Sequence, residues 1–161
     1  MGDLIIIFSA QYLSYILLAA FFILFFKNRS ANWLILLISL ISALVSRFIF
    51  TELIRFFYFR PRPFMEQNIH ALIEPIQSAS FPSGHAAFFF ALSAGVYSFN
   101  KKAGIWFFVV SALIGLARVF AGVHYFSDIV GGLAVGLFSF WVISFLISNF
   151  VKKSRTDYSS R

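Results

Sequence analysis

An all-α, polytopic membrane helix bundle is the fold class that this sequence predicts, because of its composition, its apolar runs and the placement of its charges. Of 161 residues, 60% are hydrophobic, 20% aromatic and 12% charged, which is typical of membrane proteins. A membrane-spanning helix needs about 20 mostly apolar residues, and five runs are close to that length or longer. We therefore expect residues 1–161 to form one integral-membrane domain with about five transmembrane helices.

The five apolar runs give the helices in chain order, at residues 4–26, 31–59, 86–99, 103–120 and 125–151. The first run lacks a preceding basic segment and a small-residue cleavage site, so we expect a retained helix rather than a signal peptide. The second is long enough to tilt or to project beyond the bilayer. The third is short, and we expect its helix to begin near Ser83. In the last run, Gly132 and Gly136 form a small-xxx-small step that suits close packing, within the chain or between subunits.

Basic residues gather in short clusters between the apolar runs, and this placement predicts the side of the membrane that each loop occupies. The formal net charge is +7, but the basic residues form no stripe interleaved with aromatic residues, so we expect no nucleic-acid partner. If the helices alternate, all clusters fall on one side, which the positive-inside rule makes cytoplasmic. The clustered residues are Lys27, Arg29, Lys101, Lys102, Lys152, Lys153, Arg155 and Arg161. We therefore expect a multi-pass plasma-membrane protein with a cytoplasmic C-terminal tail. Residues 60–82 and 122–124 of this protein are expected to face the outside or periplasm.

The first polar cluster is RFFYFRPRPF, residues 55–64, at the end of the second run. Its prolines predict that the helix ends near Phe59 and that the chain then turns. Arg55 and Arg62 suit a phosphate ligand, since each guanidinium offers a bidentate fork and stays charged. The alternative is that these arginines extend to lipid headgroups, and we interpret Arg60 as a lipid contact of that kind.

The second cluster is SFPSGHAAFFF, residues 80–90. Ser83 is the predicted N-cap, and Gly84 permits a close approach of the backbone to a ligand. A helix that begins here presents free N–H groups and the positive end of its dipole, which favours an anion. His85, in the first turn, is placed to give a proton to a leaving oxygen. The alternative is an ordinary helix start with an interfacial histidine.

The third cluster lies in GLARVFAGVHYFSDIVGG, residues 115–132, where Arg118, His124 and Asp128 interrupt an apolar stretch. If the last helix begins by about Val123, His124 and Asp128 stand at i and i+4, and the carboxylate accepts the Nδ1–H of the imidazole. That hydrogen bond leaves Nε2 free as a nucleophile, with Arg118 as a further phosphate clamp. The alternative is a buried Arg–Asp pair with a bystander histidine, although ionisable residues at membrane depth are costly and are functional candidates by default.

Together the three clusters resemble the signature of the type 2 phosphatidic acid phosphatase superfamily, which is Lys-x6-Arg-Pro, then Pro-Ser-Gly-His, then Ser-Arg-x5-His-x3-Asp. The order and the spacings agree, and the resemblance covers roughly residues 45–136. Two positions depart from it. Arg55 stands where the family usually has lysine, which keeps the charge but replaces a point donor with a fork. Ala117 stands where the family usually has serine, which removes one hydroxyl. The five predicted spans are also fewer than the six of many membrane relatives.

Within that superfamily, the segments YFRPRPF, HALIEP and SASFPSGH most resemble the bacitracin-resistance type of undecaprenyl pyrophosphate phosphatases. This resemblance implies hydrolysis of undecaprenyl pyrophosphate to the monophosphate at the outer face of the plasma membrane. The reaction recycles the lipid carrier of cell-wall synthesis. The hypothesis is a two-step, metal-independent reaction in which His124 forms a phosphohistidine, Asp128 stabilises the imidazolium and His85 protonates the leaving oxygen. The groups expected to hold the phosphate are Arg55, Arg62, Arg118 and the backbone from Ser83 through Gly84 to His85.

Two other functions agree with the same residues. One is hydrolysis of phosphatidylglycerol phosphate, phosphatidic acid or a related lipid, and the other is non-catalytic lipid binding or transfer. We expect no cofactor and no metal, because the three histidines and six acids are not spaced as ligands. His70 and Glu74 either contact the distal phosphate or belong to a solvated loop. The absence of cysteine excludes disulfides and a thiol nucleophile.

Overall fold

The computed structural model describes residues 2–27, 33–66, 70–74 and 78–159, and the regular structure in these residues is helical throughout. Its helices are α1 (Gly2–Lys27), α2 (Trp33–Phe57), α3 (Pro63–Glu66), α4 (Gly84–Phe99), α5 (Lys101–Phe120) and α6 (Phe126–Ser159). The predicted sidedness also rests on Arg29, Arg161 and the side chains of Lys152, Lys153 and Arg155, which lie outside the described part of the chain.

Four of the described helices are long and apolar enough to cross a membrane, namely α1, α2, α5 and Phe126–Phe150 of α6. The fifth apolar helix, α4, has 16 residues and is about 24 Å long at 1.5 Å per residue, less than the ~30 Å of a bilayer core. The predicted fold class, an all-α membrane bundle of about five helices, is confirmed. The second run was expected to remain helical to about Phe59, but α2 ends at Phe57.

Two helices contain a π-helical stretch, Phe8–Tyr12 in α1 and Ser46–Phe50 in α2. In α2, the hydroxyl of Thr51 donates to the carbonyl of Ser46, five residues earlier, at 2.8 Å. A π-helical turn is wider than an α-helical turn and rotates the residues after it relative to those before it. In a regular α-helix some side chains of α2 would point in different directions. This change of register brings them to one face.

The centre of the bundle is α4, which packs against α2, α5 and α6. Eleven of its 16 residues are buried, so its short length is compensated by neighbours on several sides. Small residues allow the close approach of α6. A Cβ added to Gly136 would lie 2.6 Å from the carbonyl oxygen of Ala87, and one added to Gly132 would lie 2.8 Å from that of Ser83. The step from Gly132 to Gly136 therefore makes a contact within the chain.

Hydroxyl groups also join the helices in the interior. Ser139 of α6 donates to the carbonyl of Ser42 in α2 at 2.7 Å, and the hydroxyls of Ser93 and Ser111 lie 3.0 Å apart. Where the donors and acceptors of a membrane helix are satisfied inside the bundle, the outward surface can remain apolar. Large apolar side chains accordingly lie exposed on α5 and α6, among them Trp106 and Trp141.

We predict that Gly136→Ala destabilises the bundle, because the new methyl group would collide with the backbone of α4 at Ala87 and Ala91. The expected loss is about 1–3 kcal/mol of the free energy of unfolding, measured by SDS-induced unfolding in detergent. The matched control is Gly2→Ala, since a Cβ there meets nothing within 4 Å. Equal stability of the two variants would contradict the close packing of α6 on α4.

Candidate active site

The turn between α5 and α6 places the histidine of the third cluster. Gly122 has a φ of 75°, a conformation that glycine adopts without steric cost. Its N–H donates to the carbonyl of Val119 at 3.0 Å, and the N–H of Val123 donates to that of Arg118 at 3.2 Å. This pair of hydrogen bonds is a Schellman motif, which ends α5 and reverses the chain directly before His124.

His124 and Asp128 are in contact, but not on one helical face as predicted. The shared face depended on a last helix that begins by about Val123, whereas α6 begins at Phe126 and His124 lies in the preceding turn. The reason is that Oδ2 of Asp128 accepts the backbone N–H of Tyr125 at 2.8 Å, which caps the start of the helix at Phe126. The same oxygen lies 3.2 Å from Nδ1 of His124. The contact between imidazole and carboxylate is therefore made across a helix cap.

Arg60 is the third group held by the carboxylate of Asp128, and its interpretation as a lipid contact was wrong. Its Nη1 donates to Oδ1 of Asp128 at 3.0 Å and to the hydroxyl of Ser127 at 2.7 Å. Its guanidinium also lies over the ring of Tyr125, 4.0 Å from the centroid. A buried carboxylate without a charged partner is unfavourable, and Arg60 supplies such a partner to Asp128.

The second cluster starts α4, as the sequence predicts. Ser83 is the N-cap, and its hydroxyl accepts the N–H of Ala86 at 3.5 Å. The N–H of Ser83 donates to the backbone carbonyl of Asp128 at 2.9 Å, which ties this helix start to that of α6. The Cβ position at Gly84 faces the side chain of Arg47, 2.6 Å from its Nε. Gly84 therefore accommodates an arginine at close range, where the sequence suggested a ligand.

His85 lies at the wall of a cavity of about 760 Å³. Arg118 lines the same cavity, and the residues of α1 opposite include Gln11 and Tyr12. His85 is also within electrostatic range of His124 and of three arginines, Arg47, Arg62 and Arg118. The structure thus brings both predicted catalytic histidines into one strongly positive environment.

Arg62 is 4% exposed and is bound largely by the protein itself. Its Nε and Nη2 donate to the carbonyl and hydroxyl of Ser78 at 3.0 Å each, and its Nη1 donates to the carbonyl of Val123 at 3.2 Å. Three of its five N–H groups are therefore used within the protein, two on Ser78 and one on Val123, the residue directly before His124. Burial, followed by the positive charge of Arg55, lowers the pKa of Arg62 to about 10, so the group stays charged at neutral pH.

Arg118 and Arg55 retain free donors. Arg118 is 7% exposed and donates from Nη1 to the carbonyl of Ala10 at 3.2 Å. Arg55 donates from Nη2 to the carbonyl of Pro82 at 3.0 Å and from Nη1 to Glu52 at 3.1 Å. The Nε of both arginines is buried, and it has no hydrogen-bond partner in the described part of the chain. Buried N–H donors are rarely left unpaired, and the two guanidinium groups are close enough for their charges to interact.

Sequence reasoning missed Arg47, which lies beside His85 and donates from Nη1 to the carboxylate of Glu52. An isolated arginine inside a long apolar run was a usable signal, since charges at membrane depth are seldom incidental. Its pairing with Glu52 was not predictable, because residues five apart point about 140° apart on a regular α-helix. The π-helical stretch Ser46–Phe50 removes that separation.

Three further sequence expectations concern the surroundings of the site. Glu74 lines the larger cavity, and His70 is exposed. Ala117, where the signature has serine, is 6% exposed and packs in an apolar cluster with Ala10 and Val123. The described His, Asp and Glu side chains form no group of three that would hold a metal ion.

Fold and site define a membrane lipid phosphatase, a hydrolase that acts on phosphoric ester or anhydride bonds. The sequence model of the PAP2 superfamily matches residues 32–152, and the chain belongs to this superfamily. The membership predicted from the three sequence clusters is confirmed.

Individual relatives agree with this assignment. Over 142 residues the chain is 29% identical to "Bacitracin transport permease protein BcrC" of Bacillus licheniformis, a match that covers 85% of the chain and 70% of the relative. Over 106 residues it is 34% identical to "Undecaprenyl-diphosphatase BcrC" of Bacillus subtilis (strain 168), covering 66% of the chain and 53% of the relative, about half its length. The crystal structure of Aquifex aeolicus LpxE superposes with a TM-score of 0.71 at 26% identity, covering 88% of this chain and 84% of that one.

We predict that His124 stays neutral at pH 6 in the absence of a ligand. Burial lowers the pKa of His124 to about 4, although the hydrogen bond with Asp128 favours the charged form. Since a buried neutral imidazole resists protonation, the charged form should accumulate only as the pH falls well below 6.5. NMR of histidine-labelled protein in detergent measures this titration, and the spectrum of His124→Asn identifies the resonance. A midpoint at or above pH 6.5 would contradict the prediction.

Proposed function

We propose that the protein hydrolyses undecaprenyl pyrophosphate to undecaprenyl phosphate and inorganic phosphate, at the outer face of the plasma membrane. The observation that carries this proposal is the pair of buried, unpartnered Nε donors on Arg55 and Arg118. Of these two arginines, Arg118 lies within electrostatic range of both histidines. An anion at this position receives charge-assisted hydrogen bonds in a water-poor site, where they are strongest. The similarity to a relative named as an undecaprenyl-diphosphatase supports this choice among lipid phosphates.

In the proposed first step, Nε2 of His124 attacks the distal phosphorus in line with the bridging oxygen. The phosphorus–oxygen bond breaks as the nitrogen–phosphorus bond forms, and His85 gives its proton to the bridging oxygen, which leaves on undecaprenyl phosphate. Asp128, bound to Nδ1 of His124, stabilises the imidazolium. Water then attacks the phosphohistidine, gives a proton to His85, and releases inorganic phosphate.

In this proposal the arginines have separate tasks. Arg118 and Arg55 keep free N–H groups for phosphate oxygens, and charge stabilisation of this kind is a large part of catalysis in phosphoryl transfer. Arg62, most of whose donors are bound by Ser78 and Val123, fixes the position of the nucleophile and adds charge. The backbone N–H groups of Gly84 and His85, in the first turn of α4, face the same anion.

The proposed hydrolysis is tested with purified protein in detergent and a panel of lipid phosphates. We expect phosphate release from undecaprenyl pyrophosphate at a higher kcat/KM than from phosphatidylglycerol phosphate or phosphatidic acid, and we expect EDTA to leave the rate unchanged. A preference for a lipid monophosphate would reassign the substrate. Release from none of the lipids would leave a non-catalytic binding protein, and inhibition by EDTA would contradict the metal-independent mechanism.

The nucleophile is tested by substitution. His124→Ala should lower kcat by at least about 10³-fold, as loss of a nucleophile does in other hydrolases, and no acid-labile phosphoenzyme should form. Asp128→Asn should retain more activity, because the imidazole remains while its charge stabilisation is weakened. The matched control is His70→Ala, which removes an exposed histidine and should leave turnover near the wild-type value. Substantial activity of His124→Ala would show that another group attacks phosphorus.

The proposed orientation is tested with topology reporters. The first turn of α5 contains Lys101 and Lys102, which the positive-inside rule assigns to the cytoplasm. A reporter fused after Lys102 should therefore read cytoplasmic, and one inserted within residues 67–69 should read external. The opposite pattern would move the site to the inner face of the membrane.

A further inference from the structure

A second, smaller cavity of about 180 Å³ adjoins His85. It shares His85 and Phe89 with the larger cavity, so the proposed proton donor faces both spaces. Arg118 lines the larger cavity and Arg47 lines the smaller one. The remaining walls of the smaller cavity are Phe48, Gly84 and Phe88. This cavity thus combines one guanidinium and one imidazole with an otherwise apolar lining.

The side chain of Arg47 lies directly over the start of α4. Its Nε and Cδ would be 2.6 and 2.7 Å from a Cβ at residue 84, so a glycine is needed there for the arginine to reach His85. Along α2, Arg47 precedes Arg55 by eight residues, about 12 Å at the α-helical rise. Arg47 therefore lies deeper along α2 than the arginines of the sequence signature.

The charge of Arg47 is incompletely balanced in the described structure. Its guanidinium donates to Glu52, but the same oxygen of Glu52 also accepts from Nη1 of Arg55 at 3.1 Å. Arg47 is also close enough to Arg55, Arg62 and Arg118 for their charges to interact. One carboxylate shared by two guanidinium groups leaves an excess of positive charge, which an anionic ligand in the smaller cavity would offset.

We propose that Arg47 binds the proximal phosphate of a lipid diphosphate, the phosphate that remains on the lipid, while the first carbons of the chain lie among Phe48, Phe88 and Phe89. This proposal rests on the proposed function and adds a specificity residue to it. The distal phosphate occupies the side of His85 that Arg118 lines, and the bridging oxygen lies at His85. A lipid monophosphate has no second phosphate for Arg47, so this arginine favours diphosphates.

The test compares two analogues that the protein cannot hydrolyse, a polyprenyl methylenediphosphonate and the matching polyprenyl phosphonate. Calorimetry in detergent measures the binding of each to the wild type and to Arg47→Ala. We expect the substitution to weaken diphosphonate binding about ten- to one-hundred-fold, the worth of a charge-assisted hydrogen bond, and to weaken phosphonate binding by a factor several times smaller. Lys102→Ala, which removes an exposed positive charge at the other end of the bundle, should affect neither.

Equal weakening of both analogues, or unchanged binding of the diphosphonate, would overturn the proposal. Arg47→Lys provides the same comparison with the charge retained, in case the alanine variant does not fold. The lysine has no fork and should lose part of the diphosphonate selectivity. Because neither analogue is hydrolysed, this result does not depend on turnover, and the lipid panel tests the proposed function separately.

Discussion

The buried carboxylate of Asp128 is the group on which the arrangement of the site depends. It caps α6 through the N–H of Tyr125, contacts Nδ1 of His124 and binds Arg60. The backbone carbonyl of the same residue accepts the N–H of Ser83. One residue therefore fixes the start of α6, the proposed nucleophile, the segment after α2 and the start of α4. Because the carboxylate is fully buried, loss of any charged partner would leave an unfavourable charge in the interior.

This arrangement requires α4 and α6 to approach closely at the same end of the bundle. Gly132 and Gly136 of α6 permit that approach, since side chains at either position would collide with the backbone of α4. The separation of the helices, in turn, determines whether the N–H of Ser83 reaches the carbonyl of Asp128. The packing of α6 on α4 therefore sets the distance between the start of α4, which carries His85, and the start of α6, which directly follows the turn that carries His124.

The sequence was sufficient for the order of the apolar helices and for the family to which the three clusters belong, because apolar run length and motif spacing are local properties. It was insufficient for Arg60, whose contact with Asp128 joins residues 68 positions apart. It also failed for Arg47, because the π-helical register of Ser46–Phe50 has no clear sequence signal. The i, i+4 contact of His124 with Asp128 was predicted on the condition that the helix includes His124, whereas capping by Asp128 starts the helix two residues later.

The two departures from the family signature are compensated by this chain's own geometry. Arg55 uses its fork to join Glu52 and the carbonyl of Pro82, two acceptors on different segments that a lysine's single nitrogen is less suited to bridge. Ala117 offers no hydroxyl, but its small side chain packs against Ala10 of α1, whose carbonyl accepts from Arg118. The π-helical stretch Phe8–Tyr12 contains that residue. The first helix, which carries none of the signature residues, thus orients an arginine of the site.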